Sequence, residues 1–173
     1  MGFFSRMFNK EKAQEHGDKE IVAVADGIMG PASSISDATF REELLGQTIG
    51  FSLQTGTIVS PANGKLEMIF PTGHAFSLRM NDGTGLLVHI GINTVGMKGE
   101  GFRVLARQGD TVKAGQPVVK VDLEAVKRAG YENTTMLIVA EPVHQEKISY
   151  LPFRKVRRGQ TIAKNQQDSQ REG

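Results

Sequence analysis

The sequence of 173 residues contains no cysteine. That excludes a disulfide framework, a thiolate-held zinc site and a cysteine nucleophile, and it is compatible with the cytoplasmic location expected here. No apolar run approaches the roughly 20 residues of a membrane-spanning helix, and no signal-type apolar core follows the start. Nor is there an excess of charge of one sign: 21 Lys/Arg stand against 19 Asp/Glu, a formal net charge of +2. This small total hides a division. Residues 21–150 carry 11 basic and 13 acidic side chains, whereas residues 151–173 carry 6 and 2. The basic run Arg154-Lys155-Val156-Arg157-Arg158 is not interleaved with aromatic rings on which bases could stack, so nucleic acid is not expected as a partner. The seven methionines are dispersed, which argues against a Met-rich recognition surface.

Glycine, by contrast, is abundant at 20 residues and predicts many turns. Residues 1–20 read as a separate segment. Phe3, Phe4, Met7 and Phe8 recur at helical spacing, and a polar linker then runs to Glu20. So short an apolar face leaves two readings open, weak contact of residues 3–8 with a membrane surface or a frayed terminus. From Ile21 the period becomes strand-like. IVAVA, IGFSL, KLEMIF, AFSLRM, GLLVHI, PVVKV and TTMLIVA are short, apolar or β-branched, and bounded by Gly, Asn, Asp or Pro. Roughly ten such runs predict an all-β body over residues 21–156, a compact β-sandwich or barrel-sandwich hybrid. One short helix is expected through LEAVKRA, capped by Asp122 and ended by Gly130, and a further helical turn near Glu141–Lys147. Residues 157–173 read as a basic flexible tail. His16, in the polar linker, and His144, near Pro142, are expected to have no functional role.

The stretch TGHAFSLRMNDGTGLLVHIGIN, residues 72–93, holds the other two histidines. Phe76, Leu78 and Met80 alternate with Ser77 and Arg79, and Asn81-Asp82-Gly83 signals a hairpin turn. With Asn81-Asp82 as the two-residue loop, position 74 pairs with 89. With Asp82-Gly83 as the loop, position 76 pairs with 89 and His74 lies diagonal to it. Either register puts His74 and His89 on one face, with Cβ atoms roughly 4.5–5.5 Å apart if opposite. A three-residue loop would put them on opposite faces. On spacing alone three roles stay open for the pair: an imidazole nucleophile assisted by its neighbour and by Thr72, half of a zinc site, or two structural histidines.

VHIGINTVGMKGEGF, together with TGHAFSL and SPANGKL, resembles the IIA component of the glucose family in the bacterial sugar phosphotransferase system, from about Ile21 to about Val156. The resemblance implies a phosphotransferase component that works through a covalent phosphohistidine and needs no cofactor, with zinc optional through His74 and His89. It implies that His89 accepts a phosphoryl group on Nε2 from the histidine-containing phosphocarrier protein and passes it to a IIB domain during sugar uptake. His74 would support the phosphoryl group, Thr72 would belong to its hydrogen-bond network, and the Gly91 carbonyl would orient the His89 ring. Phe40, Phe70, Leu87 and Val95 match or replace the apolar collar that meets partners. Relatives also bind transporters and metabolic enzymes according to phosphorylation state. Two departures stand out: Asn93 where relatives often carry an acidic residue, and Gly46-Gln47-Thr48 in place of Gly-Asp-Gly. With Asn93 neutral, contact with a basic donor is expected either to be weaker or to be made elsewhere, by Glu42, Glu43 or Glu100.

Two other families share part of this text. RQGDTVKAGQPVVKV resembles the strand-turn-strand of biotinyl and lipoyl carrier domains, but LEMIF lacks their modified lysine. A LytM-type zinc peptidase would need a His-x-His pair, and residues 87–91 offer one histidine.

Overall fold

The computed structural model describes residues 15–152 and 154–164. The apolar face at residues 3–8 therefore lies outside the described residues. Among the described residues thirteen strands form the body: β1 (Glu20–Val22), β2 (Gly27–Pro31), β3 (Gln47–Leu53), β4 (Thr57–Val59), β5 (Gly64–Ile69), β6 (Ala75–Met80), β7 (Gly85–Ile92), β8 (Phe102–Val104), β9 (Thr111–Val112), β10 (Pro117–Val121), β11 (Glu132–Glu141), β12 (Lys155–Val156) and β13 (Thr161–Lys164). Two short helices, α1 (Ala38–Arg41) and α2 (Leu123–Arg128), and 3-10 turns at Ala32–Ser34 and Thr94–Met97 complete the described elements. No helix among the described residues is long and apolar enough to cross a membrane.

Eight strands make one antiparallel sheet in the order β12-β2-β3-β11-β7-β6-β5-β9. A three-stranded sheet, β4-β10-β8, and the β1-β13 pair accompany it. Phe51, Phe76, Leu78, Val88, Ile90 and Leu137 from the large sheet share one buried cluster with Ile58, Val119 and Val121 from the small one. The two sheets thus enclose the main core as a β-sandwich, which hides each large apolar side chain at a gain of roughly 1.5–3 kcal/mol. A second cluster, Ile35, Phe40, Ile92, Met136 and Ile138 with Leu87 against it, lies on the outer face of the large sheet. There α1 and the Ala32–Ser34 turn act as its cover. Strand β7 is consequently covered on both faces, and its text LLVHI reads as a continuous apolar run rather than an alternation.

The structure corrects four expectations. The segment after Glu141 is not helical: Pro142 disfavours helix in the residue before it, and both the amide and carbonyl of Ile148 are bonded to the Gln47 side chain at 2.8 and 2.7 Å. The added helix is α1 instead, begun by Asp37, whose carboxylate accepts from the Thr39 amide at 2.9 Å. The tail joins the fold as far as Lys164, because β13 pairs with β1. The polar linker is docked from His16 onward: its Nδ1 lies 2.7 Å from Glu20 and its carbonyl accepts from Asn63 at 2.8 Å. The Leu123–Arg128 helix follows expectation, with Asp122 accepting from the Ala125 amide and Gly130 turning left-handed at φ +84°.

Candidate functional site

The β6–β7 hairpin does not use either two-residue loop. Ala75 pairs with His89 and Arg79 with Gly85, and the Met80 amide bonds the Thr84 carbonyl, which leaves residues 81–83 as a three-residue loop. Strict alternation would then send His74 to the face opposite His89. The chain escapes this because β6 begins only at Ala75. Ahead of it, Phe70 to Gly73 close a turn in which the Gly73 amide bonds the Phe70 carbonyl and Gly73 takes φ +77°, a value that favours glycine. His74 sits at that corner, its carbonyl accepting from the Ile90 amide at 2.6 Å. Its ring comes to 5.2 Å from the His89 ring, centroid to centroid and nearly perpendicular at 79°. The histidines meet by a bend, not by the register.

His89 projects from the outer face of β7, beside Met136 of β11. Its Nδ1 lies 2.9 Å from the Gly91 carbonyl oxygen. A carbonyl can only accept, so Nδ1 carries the hydrogen and the Nε2 lone pair of the neutral ring is left free. Gly91 has φ +79°, and a Cβ there would stand inside contact distance of Thr94 Cγ2 and 3.0 Å from the Glu132 carbonyl oxygen. The Thr94 hydroxyl bonds the Ile90 carbonyl and holds the turn that follows. Thr72 Oγ1 bonds Nδ1 of His74.

Aromatic rings flank both imidazoles. Phe40 is tilted against His89 at 4.9 Å, and Phe70 meets His74 edge-on at 5.1 Å. His74 is buried at 4% exposure and His89 is half-buried. Burial lowers the pKa of both imidazoles, because the charged form loses hydration. For His89 the Gly91 carbonyl opposes that effect, His74 adds to it, and the nearby Asp37 opposes it. Both rings are thereby biased toward the neutral form, the state in which imidazole is a nucleophile.

Of the four collar residues, Val95 is 54% exposed, Phe70 is 36% exposed and Leu87 is partly covered. Phe40, at 7%, belongs to the outer cluster and forms a wall under His89 more than an accessible surface. Of the substitutes named for Asn93, Glu43 is committed to the Thr48 amide at 3.1 Å. Two further residues were not legible in the sequence. Asp37 reaches His89 electrostatically because it caps α1, a helix absent from the sequence reading. Met68 lies on the His89 face, opposite Ser77 and 47% exposed, because a bulge between Leu66 and Met68 shifts the alternation of β5. Asn93 adopts φ +61°, a conformation that Asn and Asp accept more readily than most residues. His74 and His89 supply two nitrogens for a metal, but among the described residues no third His, Asp or Glu groups with them, so the set does not fit a closed zinc site.

Residues 19–144 match the family model for the phosphoenolpyruvate-dependent sugar phosphotransferase system, EIIA 1. A glucose-specific EIIA component from Staphylococcus epidermidis is 34% identical over 158 residues, which cover 91% of this chain and 95% of the relative. A glucoside-specific EIICBA component from Staphylococcus carnosus is 36% identical over 146 residues; the match covers 84% of this chain but only 21% of that longer protein. Among solved structures, the glucose permease IIA from Mycoplasma capricolum superposes with a TM-score of 0.79 at 28% identity, over 83% of this chain and 93% of that one. With the β-sandwich and the order of its sequence blocks in agreement, the chain belongs to the EIIA 1 family of the phosphoenolpyruvate-dependent sugar phosphotransferase system.

Proposed function

We propose that this protein is a cytoplasmic phosphohistidine carrier, accepting a phosphoryl group on Nε2 of His89 from the histidine-containing phosphocarrier protein and delivering it to a cysteine of a IIB domain during uptake of a sugar of the glucose or glucoside type. The observation that carries this reading is the bond from Nδ1 of His89 to the Gly91 carbonyl, with a second imidazole 5.2 Å away. The bond dedicates Nε2 to the phosphoryl group. In the first step its lone pair attacks phosphorus, and the donor's N–P bond breaks with the electron pair returning to the donor nitrogen. In the second step the cysteine thiolate attacks, and the His89 N–P bond breaks to restore the neutral Nδ1–H ring. Because such a transfer is mostly a movement of charge, positioning and donors matter more than acid–base groups. Thr72 Oγ1 bonds Nδ1 of His74; in this reading the hydroxyl is the donor, and Nε2–H of His74 is then the donor to a phosphoryl oxygen. Phe70, Val95, Leu87 and Met68 form the apolar rim against which a partner excludes water. The relative named an EIICBA component supports a IIB recipient.

Intact-mass spectrometry after incubation with enzyme I, the phosphocarrier and phosphoenolpyruvate tests this directly. One acid-labile phosphoryl group is expected, absent from His89→Ala. His74→Gln is expected to accept the group and to pass it on poorly. Phosphorylation of His89→Ala would overturn the assignment.

A further inference from the structure

Away from the histidines, the solvent face of the three-stranded sheet carries a polar row in register. Thr57 on β4 pairs with Lys120 on β10, which pairs with Arg103 on β8. Lys120 and Arg103 are exposed, and among the described residues neither has an ion-pair partner. Like charges placed directly opposite on antiparallel strands repel and destabilise the pair. The two cations border an open groove of about 600 Å³, which Phe102, Asp122 and Glu124 also line. Asp122 spends one oxygen on the Ala125 amide at 3.1 Å, yet a carboxylate keeps further acceptor sites, and Glu124 is exposed.

These groups select a ligand class. A dianion between Arg103 and Lys120 cancels their repulsion, which a single carboxylate would do only in part. The same groove also presents the carboxylate acceptors of Asp122 and Glu124, so the body of the ligand must donate hydrogen bonds, as hydroxyl groups do. Two cations and two carboxylates sum to no net charge, which disfavours a polyanion such as a nucleic-acid backbone. The half-buried Phe102 adds an apolar surface. We infer that this groove binds a phosphorylated polyhydroxyl compound of the sugar-phosphate class, its phosphate between Arg103 and Lys120 and its hydroxyls donating to Asp122 and Glu124. The inference does not rest on the phosphohistidine reading. β8 separates the groove from the turn that carries His74, since Phe102 Cβ and Val104 Cγ2 lie 3.1 and 3.3 Å from where a side chain at Gly73 would begin.

Titration of the full chain with glucose 6-phosphate, glucose and inorganic phosphate, followed by backbone amide NMR, provides the test. Glucose 6-phosphate is expected to bind saturably, moving the amides of Phe102, Arg103, Lys120 and Glu124, and at least about tenfold more tightly than either of the other probes. Arg103→Gln with Lys120→Gln is expected to weaken it about tenfold or more, the loss of one or two charge-assisted bonds. Glu124→Gln should weaken glucose 6-phosphate and leave inorganic phosphate unchanged. All three positions are exposed, so an unaltered melting temperature checks that the variants fold. His89→Ala should bind the probe like the wild type, which separates this site from the carrier chemistry. Absence of saturable binding, shifts centred on His89, or equal affinity for inorganic phosphate would each overturn the proposal.

Discussion

Replacing Gly91 with alanine tests the link between backbone geometry and the proposed chemistry. Two costs fall on one methyl group. Gly91 sits at φ +79°, where an alanine loses roughly 1–2 kcal/mol to left-handed strain. Its Cβ would also press on Thr94 Cγ2 and stand 3.0 Å from the Glu132 carbonyl oxygen, tight packing worth about 1–3 kcal/mol. The total, about 2–5 kcal/mol, corresponds to a fall in melting temperature of about 4–20 °C for a chain of this size. Relief of the clash requires the 91–94 turn to move, and with it the carbonyl that holds His89. A displacement near 1 Å at a reacting group can cost about a hundredfold in rate. Thermal melting, nitrogen NMR of the His89 tautomer and single-turnover phosphoryl transfer would be measured together. Adding Thr94→Ser removes the methyl group in closest conflict and should recover part of the stability, but not the share due to φ. If Gly91→Ala transfers phosphoryl groups at the wild-type rate with Nδ1 still protonated, the carbonyl does not orient the ring and the argument fails.

The remaining predictions concern titration and burial. Because His74 and His89 titrate below the ordinary histidine value in the fold, the unfolded chain binds more protons between those lowered values and about pH 6.5. Their contribution to stability is therefore complete above about pH 6.5 and is lost as pH falls through the folded values, which denaturant midpoints against pH would show. By NMR titration, His74→Gln should raise the pKa of His89 and Asp37→Asn should lower it; a His89 that titrates at the ordinary value would contradict the assigned burial. Among the described residues the buried Tyr150 hydroxyl has no hydrogen-bond partner, and burial raises its phenol pKa. Tyr150→Phe should therefore leave stability unchanged or raise it by about 1 kcal/mol, whereas a loss of that size in chemical denaturation would reveal a bond to the hydroxyl.

Much of the architecture was legible because its causes are local. Alternation in AFSLRM, the Asp122 cap and the Gly130 stop act within a few residues of themselves, and β6 and α2 follow them. The segment after Glu141 shows the limit. Its helical composition lost to Pro142 and to Gln47, a residue about a hundred positions away in sequence. The tail misled in the same way, since the pairing of Thr161–Lys164 with Glu20–Val22 is a contact between the chain's two ends that no local pattern encodes.

The candidate site divides along the same line. The sequence alone determined that a hairpin turn at Asn81-Asp82-Gly83 brings the segments carrying His74 and His89 side by side, and its blocks pointed to a phosphotransferase-system relative. Tertiary structure decided how the rings meet. A three-residue loop set a register that should have parted them, and the Gly73 corner reunited them across 5.2 Å. It also brought Asp37 toward His89 and buried Phe40 beneath it, because α1 folds over the outer face of the sheet. Residue types and spacing are properties of the chain. Ring orientation, burial and field depend on which distant segments pack against that hairpin, and they exist only once the fold has closed.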